Sequence, residues 1–143
     1  MIVELTPVAG EPDFADPALV GEWAGELAKM LADEQRPPWC SYGARREGAL
    51  VGLAGFKGSP DERGEVEIGY LTFTSAQGQG VASAAASALV EIARGEGVST
   101  VTAHTLAEEN ASTVVLRRNG FAFGGEISDP EDGQIWRWEK RLD

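Results

Sequence analysis

The chain has one cysteine and one histidine in 143 residues. Cys40 alone cannot close an internal disulfide or build a thiolate cluster, and His104 alone excludes a multi-histidine metal site, so no metal is expected. A Ser-His-Asp or Cys-His centre would have to use His104, and no nucleophile-elbow sequence accompanies it. Basic residues are scarce as well: 12 Lys+Arg stand against 23 Asp+Glu, a formal net charge of −11. Such acidity repels phosphate backbones and anionic membranes, so neither nucleic acid nor a membrane surface is an expected partner. It suits cationic partners, amines among them, although acidity serves solubility before function. Long apolar runs are missing too. No stretch approaches a membrane span. The opening MIVELTPVAGEPD has no basic region followed by a long apolar run, so no signal peptide is expected and the cytoplasm is the default location.

What is present describes a globular chain. The hydrophobic fraction is 43% and the charged fraction 24%, the balance of a soluble folded protein. No repeat or low-complexity linker divides it, so one domain over 1–143 is expected. Ile2 to Val8 alternates like a strand. Pro17, Ala18, Leu19, Val20, Trp23, Leu27, Met30 and Leu31 recur at helical spacing, with Asp16 placed as N-cap and Pro37 and Pro38 beyond the end. Trp39–Arg45, Ala49–Lys57 and Glu65–Phe73 read as an antiparallel meander broken by turn residues. Gly80–Arg94 is alanine-rich, with Val81, Ala85, Leu89 and Ile92 on one side, as in a helix packed closely on a sheet. Val98–Thr105 reads as a strand and Ala111–Arg118 as a short helix. Phe121–Ile127 and Ile135–Arg141 close a hairpin around the acidic turn Asp129–Gly133. The order β-α-βββ-α-β-α-ββ predicts an α/β (α+β) fold, a mixed and mostly antiparallel sheet flanked by helices.

Between the third meander strand and the alanine-rich helix stands Gln77-Gly78-Gln79-Gly80-Val81-Ala82. Glycines let the backbone approach a ligand closely. The helix that follows adds unpaired N–H groups and the positive end of its dipole, a combination that binds phosphate without a lysine. A Walker loop would need Gly-Lys-Ser/Thr, which is absent. A dinucleotide fingerprint would follow a first parallel strand, whereas this turn follows a meander.

With these residues in place the chain resembles the GNAT superfamily of N-acetyltransferases over almost its whole length. The family's acetyl-CoA loop, Gln/Arg-x-x-Gly-x-Gly/Ala, is matched by Gln77, Gly80 and Ala82. Closer still is the branch containing the ribosomal-protein-alanine acetyltransferases. That branch shows Glu-Ile-Gly-Tyr before the loop, here Glu67 to Tyr70. It also shows Asn-x-x-Ser followed by Val-Leu-x-x-x-Gly-Phe, here read across Asn110 to Phe121.

The resemblance implies a strand before the loop that carries a bulge and splays from the next strand, forming the acetyl-CoA cleft. Pantetheine would pair with the backbone of Leu71, Thr72 and Phe73, and the pyrophosphate would sit on Gln77, Gly78, Gln79, Gly80, Val81 and Ala82. Acetyl-CoA is then the cosubstrate, attacked directly by a primary amine on a small molecule or on a peptide or protein N-terminus. Asn110 lies one position away from the family's asparagine, whose place Glu109 takes, and is assigned to the pantetheine arm or the splayed strand. Dimers are common among the proteins the chain resembles, which leaves a homodimer as the open expectation for its assembly.

Two groups are candidates for proton transfer. Glu67, on the strand lining the cleft, is the expected base, with partial burial raising its pKa; the alternative is a solvent-facing strand glutamate. Ser112 matches the serine of the resembled branch and is the expected thiolate proton donor, although a serine there is more commonly a helix cap. Many family members instead use a tyrosine where this chain has Leu116. Tyr70 is a reserve donor, read first as packing. His104 reads as structural, and Trp136 and Trp138 as core that can also wall an acceptor pocket. Two other readings stay open. One is a non-catalytic acyl-CoA-binding module of the same fold; the other is an unrelated α/β domain with a coincidental Gly-x-Gly turn.

Overall fold

The computed structural model describes residues 2–8, 21–32 and 35–142. Its strands are β1 (Glu4–Pro7), β2 (Ser41–Arg46), β3 (Ala49–Phe56), β4 (Glu65–Thr72), β5 (Thr100–Leu106), β6 (Ala122–Asp129) and β7 (Gly133–Arg141). Its helices are α1 (Ala24–Ala32), α2 (Val81–Gly95) and α3 (Ala111–Arg118), with 3-10 turns at Gly21–Trp23 and Thr74–Ala76. The expected cap Asp16 and the helical positions Pro17 to Val20 lie outside the described residues. No described helix is long and apolar enough to cross a membrane.

The strands form one seven-stranded sheet in the order β1-β2-β3-β4-β5-β7-β6. Every pairing is antiparallel except β4 with β5. Side-chain alternation along each strand separates two cores. On one face Val66 and Ile68 of β4, Val101 and Ala103 of β5 and Trp138 of β7 pack with Ala85, Ala86, Leu89 and Ala93 of α2 and Leu116 of α3. The alanines explain the close seat of α2: Ala86 and Ala93 are wholly buried, leaving no room for a larger side chain. On the other face Leu27 of α1 meets Leu53, Phe73 and Leu71, and Trp23 stacks on Phe73 at 6.5 Å between ring centroids.

The functional geometry begins at β4. Its ladder with β5 holds only from Glu65↔Thr100 to Glu67↔Thr102, and from Ile68 onward the two strands part. Its ladder with β3 runs without interruption from Phe56↔Ile68 to Gly52↔Thr72. The splay is therefore present and the bulge expected in this strand is not. Register shifts occur instead in the β2–β3 ladder, between Ala44 and Arg45, and in the β6–β7 ladder, between Phe123 and Gly125. The bonds Lys57 N–H to Glu67 O and Phe73 N–H to Val51 O put the odd-numbered residues of β4 in register with β3. By the alternation of an antiparallel ladder, the N–H and C=O groups of Tyr70 and Thr72 then face the open side.

The last hairpin is longer than its sequence suggests, because Asp129↔Gly133 still pair. Asp129 Oδ1 accepts the N–H groups of Glu131 and Asp132 at 2.8 and 2.9 Å, which makes the acidic cluster a turn device.

Candidate active site

The loop after β4 is built to leave a helix end open. Gln77 Nε2 donates to the Thr72 carbonyl at 3.2 Å, tying the loop back to its strand. Gly78 and Gly80 take φ +77° and +83°, and a Cβ on Gly78 would meet open space. Gly80 is the N-cap of α2 in the left-handed conformation, and among the described residues no side chain caps this helix end. Asn119 Nδ2, donating to the Ser83 carbonyl at 3.2 Å and the Val115 carbonyl at 3.0 Å, fixes α3 beside this helix end.

Two cavities open around the splay. One of about 660 Å³ lies under the loop and between α2 and α3, lined by Leu71, Thr72, Gln77, Gly78, Gly80, Val81 and Ala82. A second, of about 230 Å³, reaches from Glu26 and Met30 of α1 across Gly55 and Gly69 to Lys57 and His104. Tyr70, Leu71 and Ser112 line both. There the Tyr70 hydroxyl and Ser112 Oγ are hydrogen-bonded at 3.0 Å. Burial pushes the Tyr70 phenol up, an effect partly countered by Ser112.

Several assignments change with this geometry. Ser112 is not the cap of α3. Asn110 is, accepting the Thr113 N–H on Oδ1 at 3.1 Å while Thr113 Oγ1 returns the bond to the Asn110 N–H. Asn110 is thereby committed to the helix start and lines neither cavity, against its assignment to pantetheine. Glu109 holds the same end, accepting from Thr113 Oγ1 at 2.8 Å and from both terminal nitrogens of Arg117 at 2.6 Å. Phe73 turns into the α1-side core and Gln79 lies off the cavity, so neither reaches the space their neighbours line. Trp138 is core and Trp136 packs against Phe123, and neither lines either of these two cavities.

Glu67 also differs from expectation. Its Oε2 lies 3.0 Å from both Lys57 Nζ and His104 Nδ1. Burial is the largest single influence and pushes its carboxyl up, but the hydrogen bond from His104 and the charge and hydrogen bond of Lys57 together outweigh it. The net direction is downward, because two cationic or donating partners favour the ionised form more than partial burial disfavours it. Lys57 and His104 line the smaller cavity, and Glu67 is not among its lining residues.

Tyr70 and His104 are the residues sequence reasoning undervalued. Tyr70 shares the parity of Val66 and Ile68, the signal that would have pointed it toward α3.

The sequence profile of the Acetyltransferase (GNAT) domain family matches residues 9–122. Among solved structures, the ribosomal-protein-alanine N-acetyltransferase from Brucella melitensis superposes with a TM-score of 0.73 at 22% identity, covering 99% of this chain and 100% of that one. An acetyl transferase from Salmonella typhimurium that modifies the N-terminal serine of the 50S subunit protein L7/L12 gives a TM-score of 0.77 at 19% identity, over 100% and 96% of the two chains. The microcin C7 self-immunity acetyltransferase MccE, solved with acetyl-CoA and AMP, gives 0.70 at 16% identity over 96% and 77%. No curated protein matches the chain in sequence.

Proposed function

The chain belongs to the GNAT acetyltransferase family, and from that premise we propose that it transfers the acetyl group of acetyl-CoA to a primary amine on a small molecule or on a peptide or protein N-terminus. The observation that carries this reading is the pair of cavities sharing Tyr70, Leu71 and Ser112, one beneath an uncapped helix end and one beside His104. Acetyl-CoA supplies a thioester open to direct attack by the amine, with no covalent enzyme intermediate. The N–H groups at the start of α2 hold its phosphates, the open edge of β4 pairs with its amides, and Tyr70 and Ser112 stand where donor and acceptor meet. Leu116, wholly buried, offers no donor from α3, and Tyr70 brings a phenol to the cleft from β4 instead.

Thr72 supports the fit independently. Its Oγ1 is buried without a hydrogen-bond partner among the described residues, and Thr72 lines the larger cavity. A buried hydroxyl without a partner costs about 1–3 kcal/mol until something satisfies it, and an amide of the cosubstrate is a suitable partner. Thr72→Val is expected to leave the melting temperature unchanged or raised while weakening acetyl-CoA about fivefold. Thermal unfolding and calorimetry on one variant check both; an unchanged Kd removes Thr72 from the site.

The test of function is consumption of acetyl-CoA, followed by thiol release, across a panel of alkyl amines and short peptides with free N-termini. Turnover on at least one acceptor is the expected result. Calorimetric binding without turnover on any of them would establish an acyl-CoA-binding module instead. The acidity of the chain, and Glu26 at the acceptor-side cavity, favour a cationic acceptor. A cytoplasmic location and a homodimer belong to the same proposal, the latter supported by Phe123 and Ile127 exposed on the outermost strand β6. Light scattering reads the dimer, and fractionation of cells reads the location.

A further inference from the structure

We propose that His104 is the group that takes the proton from the incoming amine, with Glu67 a positioning residue that holds its ring. The inference rests on the acetyltransferase reading and adds a base to it. A general base must line the space where the amine stands, and His104 lines the acceptor-side cavity beside the shared residues Tyr70 and Ser112. Its Nδ1 lies 3.0 Å from Glu67 Oε2. That contact places the ring hydrogen on Nδ1 and leaves Nε2 as the basic nitrogen, the logic by which a carboxylate selects a histidine tautomer.

Glu67 is the weaker candidate for direct proton removal. Its carboxylate is held ionised by two partners, Lys57 and His104, and these two line the cavity whereas Glu67 does not. Among the described residues, the other charges around the ring come from β7, the last hairpin turn and α1. Arg137, the register partner of His104 on β7, is bound to Glu65 at 2.9 Å. Asp129 at the hairpin turn feels the charges of His104 and Lys57. Glu26 of α1 faces across the cavity.

The proton balance is complete. An alkylammonium loses one proton to His104 Nε2, and the free amine forms the new N–C bond as the C–S bond breaks. The second proton leaving nitrogen ends on the sulfur, and His104 returns the first to solvent. The products are the amide, CoA thiol and one released proton.

His104 is the only histidine in the chain, so nitrogen NMR of the full protein reads its tautomer without assignment and without any acceptor. The expected signal is Nδ1–H with unprotonated Nε2; an Nε2–H tautomer would overturn the proposal. His104→Gln is expected to lower kcat on an alkyl amine about 100-fold or more, with the acetyl-CoA Kd unchanged. On a weakly basic acceptor such as a hydrazide, already neutral at the assay pH, the loss should shrink to a few fold. Equal losses on both acceptors, or no loss on the alkyl amine, would remove His104 from the base role. Glu67→Gln keeps an acceptor for Nδ1–H, so the Nδ1–H tautomer and most of kcat should be retained, whereas Glu67→Leu should lose both. A loss in Glu67→Gln as deep as that of His104→Gln, with the Nδ1–H tautomer unchanged, would return the base role to Glu67. If the parent protein acetylates no amine, the acetyltransferase reading fails on its own, and the tautomer still decides the placement of the His104 proton.

Discussion

Gly80→Glu is expected to abolish acetyl-CoA binding in a protein that still folds. Gly80 caps α2 with φ +83°, a conformation that costs an L-residue about 1–2 kcal/mol. That cost alone does not unfold a domain of this size, whose total stability is about 5–15 kcal/mol. Binding is another matter. The glutamate places a carboxylate over the N–H groups that would hold phosphate, and like charges about 4 Å apart at an effective dielectric of about 20 repel by about 4 kcal/mol. That corresponds to roughly a thousandfold in Kd. Gly80→Ala separates the two effects, because it carries the same backbone strain without the charge. The two variants should melt together yet differ by at least a hundredfold in acetyl-CoA affinity. A Gly80→Glu protein that binds acetyl-CoA as tightly as its parent would mean that the phosphates lie elsewhere.

That the loop was legible at all follows from local chemistry. Glycines at 78 and 80 before an alanine-rich periodic run can be read without knowing what lies across the sheet, and the helix they introduce begins at Val81. The strands were legible for the same reason, within a residue or two at their ends. What failed was decided by contact. The helix α3 was read at its observed bounds, Ala111–Arg118, but its cap is Asn110, and the hydroxyl that Ser112 meets comes from Tyr70 on β4, far away in sequence. Glu67 showed the parity that turns it to the α1 face, yet Lys57 arrives from just past the end of β3 and His104 from β5. Only the sheet brings them onto one carboxylate oxygen. A lone glutamate in a sequence shows its burial more readily than its partners, so the upward pull was foreseen and the stronger downward pull was not. The unbulged register of β4 is likewise a property of its ladder with β3, on which the family motif is silent.

The hydroxyl pair at the cleft leads to the second large effect. Removing either Tyr70 or Ser112 should slow acetyl transfer about 100-fold, and removing both should slow it no further. The reason is acidity. An ordinary thiol titrates at about 8.5 and a phenol at about 10, and burial pushes Tyr70 up from there. A serine hydroxyl is weaker still as an acid. Neither group can give its proton to a departing thiolate and keep the charge. Either can pass a proton on if another arrives from the attacking nitrogen at the same time. Tyr70 and Ser112, 3.0 Å apart at the junction of the two cavities, form such a relay. A relay works only when whole, so Tyr70→Phe, Ser112→Ala and the double variant should share one kcat, with acetyl-CoA Kd values within a few fold of the parent. Single-turnover kinetics on the three proteins measures this. If one single variant keeps the parent rate, the remaining hydroxyl acts alone; if both do, the thiolate takes its proton from water.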